Sequence, residues 1–275
     1  MKIMKLSSRH QVAHSAALKK FESSFTYPLG EKTFVIQHGE SNNDYFNFFR
    51  KLGDPETLVI ENPQTGTIEG VGTGIYRSFQ HGNDTPKDYW YLCDFKLTNH
   101  LRGKGVLRRM MLKYFLSFYT KSTSFVAVNM SPKSNNGLVK RLESLFLVMN
   151  IDLTPLYFYE WRPDTYLTIL EQGLLPDHVL VTNHKDKDIV VDGKILPIIH
   201  IVPRGHFLKN LKNYSVISKD QQQQLQKDGA IFMYMTKSVT EVSHFCAKSH
   251  QYANEGVMIS SGIDVKKYNI SSLEI

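Results

Sequence analysis

Cysteine is nearly missing: Cys93 and Cys246 are the only two in 275 residues. Two distant thiols build no disulfide framework, so a small disulfide-stapled fold is excluded and a reducing, cytoplasmic compartment is expected. Long apolar runs are missing too. Nothing approaches the roughly 20 apolar residues that a membrane-spanning helix requires. Met1 to Lys20 carries Lys and Arg without the apolar centre of a secretory signal, so none is expected. Acidic side chains are outnumbered, 26 to 33, which gives a formal charge of +7 and favours an anionic partner. Two nucleotide-binding signatures are absent: no Gly-Lys-Ser/Thr closes a Walker loop, and no Gly-x-Gly-x-x-Gly is present.

What is there suits a folded globular chain, with 41% hydrophobic and only 21% charged residues. The first 30 residues read as an amphipathic or loose leader. Lys32 to His38 is a strand candidate. Ser41-Asn42-Asn43-Asp44 caps a helix to Leu52, with Tyr45, Phe48, Phe49 and Leu52 on its apolar side. Thr57–Glu61, Thr67–Arg77 and Tyr89–Leu97 read as strands. A helix follows from Val106 to Thr120, striped by Leu107, Met111, Tyr114 and Phe118. Ser124–Met130 is a strand, Asn135–Phe146 a helix and Leu156–Trp161 a strand.

This order, β-α-β-β-β-α-β-α-β over 30 to 165, predicts an α/β (α+β) fold. A mixed, mostly antiparallel central sheet is flanked by helices, and strands 89–97 and 124–130 are parallel. The division expected is a leader over 1–30, a first folded domain over 31–165 and a C-terminal α/β region over 166–275. In that last region Val179–Ile201 reads as a hairpin around Asp192-Gly193, Ala230–Met235 as a strand and Val239–Ala253 as a helix. Val202-Pro203-Arg204-Gly205-His206 faintly echoes an earlier glycine turn, which suggests a degenerate second copy.

That earlier turn, Arg102-Gly103-Lys104-Gly105-Val106-Leu107, carries the chemistry. It lies between a strand and a helix, and the densest cationic cluster, Arg102, Lys104, Arg108, Arg109 and Lys113, falls on it and on the helix after it. A helix start presents N–H groups without helical partners and a partial positive charge. Glycines let that backbone approach a pyrophosphate closely. The plain alternative is a solvated basic turn.

The run Tyr91 to Val106, in this order of elements, resembles the GCN5-related N-acetyltransferase (GNAT) superfamily. Its phosphate motif is Gln/Arg-x-x-Gly-x-Gly/Ala. Arg102 and Gly105 match the first and fourth places, and Leu107 stands where a small residue is usual. Asn135 and Asn136, opening a later helix, resemble the family's second landmark. The resemblance implies acetyl-CoA or another acyl-CoA as donor, an amine acceptor (small molecule, peptide or protein) and N-acyl transfer. Gly103, Lys104, Gly105, Val106 and Leu107 would hold the pyrophosphate. Phe95, Lys96 and Leu97 would pair with the pantetheine amides, and Asn135 would flank that arm. A catalytically weak CoA-binding or interaction module of the same fold is the alternative.

Acyl transfer needs a base for the amine and an acid for the leaving thiolate. Asp94, a carboxylate in an apolar strand, is the base candidate; its plain reading is a surface carboxylate paired with Lys96. The family's acid is a Tyr, but the matching position is Leu142, so Tyr157 or Tyr159 is the substitute, each also readable as a packing aromatic. Gly70, Gly72 and Gly74 strip one strand face, for a substrate cleft or for close helix packing. Glu69, on the opposite face, is a weaker base candidate. Six of eleven histidines lie after residue 165, yet only Cys246 and His250 have helical spacing, so no metal site is expected.

Overall fold

A computed structural model describes residues 2–29, 32–39, 43–81, 84–130 and 151–275. The elements in chain order are β1 (Lys2–Leu6), α1 (Ser8–Glu22), β2 (Tyr27–Leu29), β3 (Lys32–His38), α2 (Asn47–Leu52), β4 (Asp54–Glu61), β5 (Ile68–Phe79), β6 (Lys87–Leu97), α3 (Val106–Phe118) and β7 (Phe125–Asn129). Then come β8 (Ile151–Trp161), α4 (Pro163–Glu171), β9 (His178–Thr182), β10 (Lys187–Val191), β11 (Lys194–Leu196), β12 (Ile198–Pro203), α5 (Arg204–Asn210), α6 (Lys219–Lys227), β13 (Ile231–Thr236), α7 (Val239–Ala247) and β14 (Asn254–Ser261). Among the described residues no helix is long and apolar enough to cross a membrane.

Ten strands form one sheet in the order β1-β4-β5-β6-β7-β14-β8-β13-β12-β9, and a four-stranded sheet runs β11-β10-β3-β2. The large sheet is antiparallel except at two places, β6 with β7 and β12 with β13. Each parallel pair needs a crossover, and each crossover is helical. The order mirrors itself about the β14–β8 pair. The strand that follows β7 in the chain, β8, does not pair with it; β14 does, through Phe125↔Ser261 to Asn129↔Val257. Likewise β13 pairs with β8, through Phe232↔Trp161 to Thr236↔Tyr157. Each half therefore lends its last strand to the other.

Residues 1–30, read from sequence as a leader, supply β1 and α1. β1 extends the sheet edge by pairing with β4, and Leu18 and Phe21 of α1 are buried. The reason the sequence concealed α1 is its low amphipathicity: it also buries the polar Gln11, Ser15 and Glu22.

The two faces of the sheet carry different layers. On one face, Leu18, Phe48, Phe49, Phe207 and Leu273 pack over Tyr89, Tyr91, Leu156 and Phe158. On the other, Val106, Met110 and Tyr114 of α3 pack over Trp90, Leu92, Val257 and Ile259. That second face continues into the other half, where Ile169, Leu225 and Phe245 cover Tyr159, Trp161, Ile199 and Phe232. Strand alternation along β8 fixes the assignment: odd positions face the α3 side and even positions the α1 side. The buried stripe of α3 is Val106, Met110 and Tyr114, with Leu107 and Met111 at its edge.

Candidate functional site

The site is built where β6 and β7 part. Their parallel pairing covers Trp90↔Phe125, Tyr91↔Val126 and Leu92↔Ala127, and stops there. Beyond that level, among the described residues, Lys96 and Leu97 pair with β5, and Val128 and Asn129 pair with β14. A wedge thus opens between two strands that began as neighbours.

A bulge in β6 coincides with the opening. Cys93 faces Thr73 and Lys96 faces Val71, so Asp94 and Phe95 together oppose Gly72. Asp94 has φ 54°, a left-handed value unusual for a residue with a side chain. A bulge leaves a residue out of the ladder and bends its strand. It also shifts the alternation, so that Cys93, Asp94 and Lys96 all lie on the α1 face while Phe95 and Leu97 pack toward α3.

Two of the three alternating glycines, Gly72 and Gly74, let α3 approach closely, while Gly70 makes room for Leu97 and Ile60. A Cβ on Gly72 would lie 2.7 Å from the Phe95 ring and 2.9 Å from Met110, and one on Gly74 would lie 2.7 Å from the Tyr114 ring. At Gly72 and Gly74 the stripped face is occupied by side chains of β6 and α3, the close packing that was one of the two readings. The Tyr114 hydroxyl locks the contact by donating to the Glu56 carbonyl and accepting from the Gly74 N–H.

After β6, a short 3-10 turn, Asn99–Leu101, leads to Arg102, whose Nε donates to the Leu97 carbonyl at 3.2 Å. Gly103 and Gly105 follow with φ 77° and 69°, and a Cβ at either would meet nothing within 4 Å. The left-handed backbone, not crowding, is why glycine serves here. Gly105 caps α3 without a side-chain acceptor, and the first turn of α3 holds no acid. Arg102, Lys104, Arg108 and Arg109 are exposed around it. Val106 is buried and Leu107 packs against the α3 core, so the bulk of Leu107 is turned inward from the turn's surface.

On the α1 face, Asp94 is held in a polar cluster that sequence reasoning did not assemble. Its Oδ1 lies 2.5 Å from Lys96 Nζ, and Oδ2 accepts from the Tyr45 hydroxyl. Lys96 also binds Glu22, at 2.7 Å to Oε1 and 2.5 Å to Oε2, and Tyr27 donates to Glu22 Oε1 at 3.1 Å. Burial works against the Lys96 charge, but Asp94 and Glu22 outweigh it and hold the amine above its usual range. Burial, then the Asp94 charge, raises the Glu22 carboxyl. Burial also raises the Tyr45 hydroxyl, and Asp94 adds to that. The surface carboxylate paired with Lys96 is half right: the pair exists, but the side chain of Asp94 is only 5% exposed.

The other candidates stand apart. Tyr157 is in β8, beyond β14, on the α3 side of the sheet, with its ring 5.2 Å from that of Tyr252. The structure does not bring it to Asp94. Tyr159 is a buried packing aromatic against Trp161 and Phe245. Glu69 accepts from Asn62 at 2.9 Å. Asn135, Asn136 and Leu142 lie outside the described residues. α7 ends at Ala247, so Cys246 and His250 do not share a helix face. Tyr45 and Glu22 are the missed members. Nothing local marks either; Tyr45 reads as one more apolar position of a helix.

The second parallel pair has the same plan and a different content. β12 and β13 pair from Ile198↔Ile231 to His200↔Met233 and then part. Ser272 bridges the two at that level, its hydroxyl donating to the Met233 carbonyl at 3.1 Å and lying 3.1 Å from His200 Nδ1. Glu274, two residues on, is fully buried between Arg77 (2.7 Å) and His206 (2.8 Å). No described segment bridges the first wedge in this way. The turn after β12 also differs: Arg204 opens α5 directly, and its guanidinium is engaged by Asp177 at 2.9 Å.

No protein-family profile and no curated protein matches the chain. Solved structures do. A tandem GNAT protein from the clavulanic acid biosynthesis pathway aligns over 96% of this chain and 99% of its own, with a TM-score of 0.50 and 9% identity. Glucosamine-6-phosphate N-acetyltransferase from Arabidopsis thaliana covers 51% of this chain and 88% of its own, with a TM-score of 0.34 and 14% identity. An acetyltransferase from Trypanosoma brucei covers 51% and 89%, with a TM-score of 0.35 and 15% identity. The full-length alignment shows the fold: a tandem GNAT-like, mixed α/β architecture around a large, mostly antiparallel sheet.

Proposed function

We propose that the chain is an acyl-CoA-dependent N-acyltransferase, most simply an acetyltransferase, working from its first wedge. The observation that carries this reading is the coincidence of the β6–β7 opening with a left-handed glycine turn at the start of α3. In it, Gly103, Lys104, Gly105, Val106 and Leu107 hold the pyrophosphate, with Arg102 and Lys104 adding full charges. The strand Phe95, Lys96 and Leu97, released from β7, pairs with the pantetheine amides. Asn135 flanks that arm, and the acyl-CoA-binding unit comprises 31–165 with β14 lent to it. A reducing, cytoplasmic setting fits the free thiols of Cys93 and Cys246.

In this reading the amine acceptor approaches from the α1 face. Asp94, oriented by Tyr45 and Lys96, takes its proton directly or through a water, the amine adds to the thioester carbonyl, and the thiolate departs. Tyr157 faces the other way, so the thiolate takes its proton from water. The test is acetyl-CoA with a panel of amines and peptides, read as thiol release. Turnover is expected to fall about a hundredfold in Asp94→Asn, the low end of what a general base contributes. A loss under fivefold sinks the role of Asp94.

A second reading has its own support. Both Asp94 oxygens are engaged, by Tyr45 and by Lys96, which suits a CoA-binding or interaction module without turnover. Tight CoA binding without thiol release would favour it.

A further inference from the structure

The N-terminal helix sends one side chain toward the first wedge. Glu22 closes α1 with its side chain 1% exposed, and both its oxygens accept from Lys96 Nζ, at 2.7 and 2.5 Å. The same Nζ lies 2.5 Å from Asp94 Oδ1 in the bulge. Two contacts of this ammonium thus go to Glu22 and one to Asp94. Lys96 also stands 5.5 Å from the Tyr27 ring centroid, and the Tyr27 hydroxyl donates to Glu22 at 3.1 Å. An unbroken set of contacts therefore runs from α1, outside residues 31–165, to the carboxylate where the strands part.

The charges in this set do not balance. With both carboxyls ionised, Asp94 and Glu22 share one ammonium, so the cluster holds one negative charge in excess. A lysine that only braces the fold needs one carboxylate; a second buried one costs desolvation and repels the first. The other groups that face the pair do not supply the missing cation. Tyr27 and Tyr45 are neutral donors, and burial keeps the Cys93 thiol protonated. Lys187 of β10 acts on the pair at longer range, but it donates to the main-chain oxygen of Ile275, and among the described residues no ion pair joins it to either carboxylate. Uptake of one proton by the pair brings the cluster to neutrality, the state that burial favours. The raised Glu22 carboxyl, lifted by burial and then by the Asp94 charge, agrees with this.

We infer that Glu22 is a positioning residue of the first wedge, which shares Lys96 with Asp94 and so keeps Asp94 able to take a proton from the amine acceptor. This deepens the acyl-transfer reading above and rests on it. The proton passes from the acceptor nitrogen to an Asp94 oxygen as the C–N bond forms. The C–S bond breaks and the thiolate takes its proton from water, while Glu22 stays charged and bound to Lys96. If Glu22 lost its charge, Lys96 would be left to Asp94 alone, and an ammonium of its own favours the ionised form of a carboxyl.

The experiment compares thiol release against pH for the parent, Glu22→Gln and Glu22→Asp, with calorimetric titration of acetyl-CoA for each. Glu22→Gln keeps the shape and removes the charge. Its acid limb should move to lower pH by about one unit or more, a tenfold change in the proton concentration that halves the rate. Turnover at pH 7 should fall about three- to tenfold, because a weaker base accepts a proton less readily. Glu22→Asp keeps the charge and should hold the parent's acid limb, which a packing role would not predict. Acetyl-CoA affinity should be the same in all three. An unmoved acid limb in Glu22→Gln, or equal shifts in both variants, overturns this inference alone. A parent without turnover, or Asp94→Asn without loss, overturns it together with the function proposed above. On the unaltered chain, carboxyl carbon-13 NMR should show Glu22 and Asp94 responding to the same two pH steps, as coupled groups do. Two independent single steps overturn the inference even where neither variant folds.

Discussion

The two parallel strand pairs start alike and end differently. Both part after three paired positions, both are joined by helical crossovers, and each is closed by a strand from the other half. In the first, two left-handed glycines and exposed cations precede a thirteen-residue helix. In the second, a seven-residue helix starts at once, its arginine is neutralised by Asp177, and the segment around Ser272 fills the point of parting. On the function proposed above, only the first wedge takes the cofactor. The other is then free to be closed by the chain itself and to serve as a wall for its partner.

The largest effect that separates the two should come from Glu274. It is buried between Arg77 and His206 and anchors the segment that fills the second wedge. Burial opposes its charge, but Arg77 and then His206 outweigh it and hold the carboxyl at about 2, against 4.5 unperturbed. A depressed folded value contributes stability that is complete above the unfolded pKa and is lost as pH falls from 4.5 toward 2. A shift of that size corresponds to about 3 kcal/mol, and breaking a buried pair costs about 3–5 kcal/mol. Glu274→Gln should therefore lose stability on that scale in urea titrations at pH 7, and should flatten the acid limb. CoA affinity of the folded variant should stay unchanged. Weakened CoA binding would mean that the two wedges are coupled.

A middle-sized contrast lies in the glycines. Gly105 needs its left-handed φ, so Gly105→Val should distort the turn and cost CoA at least about tenfold, or about 1.4 kcal/mol. Gly205 sits in a helix with no positive φ, and its Cβ would meet nothing within 4 Å. Gly205→Val should leave CoA affinity where it was. Equal effects in calorimetric titration would erase the functional asymmetry.

Local signals explain what the sequence made visible. The β6–turn–α3–β7 crossover was legible because periodicity, glycine and cations all fall within about forty residues. The turn at Asp192-Gly193 was legible for the same reason, and both residues have positive φ, but its hairpin is only β10 with β11; the outer parts of Val179–Ile201 are β9 and β12, paired in the large sheet. Interactions between distant segments were not. β14 was not read at all, and its place between β7 and β8 depends on strands far back in the chain. Tyr45 reaches Asp94 across 49 positions, and Glu22 reaches Lys96 across 74. The bulge that turns Asp94 toward them is a property of pairing with β5, and no residue type in Cys93-Asp94-Phe95 announces it.

The smallest effect is also the most direct reading of the comparison, because it sets like against like. Arg102 and Arg204 hold corresponding places after β6 and β12, and both are exposed. Arg102 spends one N–H on the Leu97 carbonyl at 3.2 Å and meets no carboxylate among the described residues. Arg204 Nε instead meets both Asp177 oxygens, at 2.9 and 3.1 Å, so its charge is already answered. An exposed pair of this kind contributes about 0–1 kcal/mol, and Arg204→Ala should shift the melting temperature little and CoA affinity not at all. Arg102→Ala should weaken CoA by a few fold, about 0.5–1 kcal/mol for one solvated charge near phosphate. Added salt should erase most of that difference, since the charge is screened where it stands. Equal affinities for the two variants at low salt would mean that the first turn does not hold the phosphates. The asymmetry would then be one of packing alone.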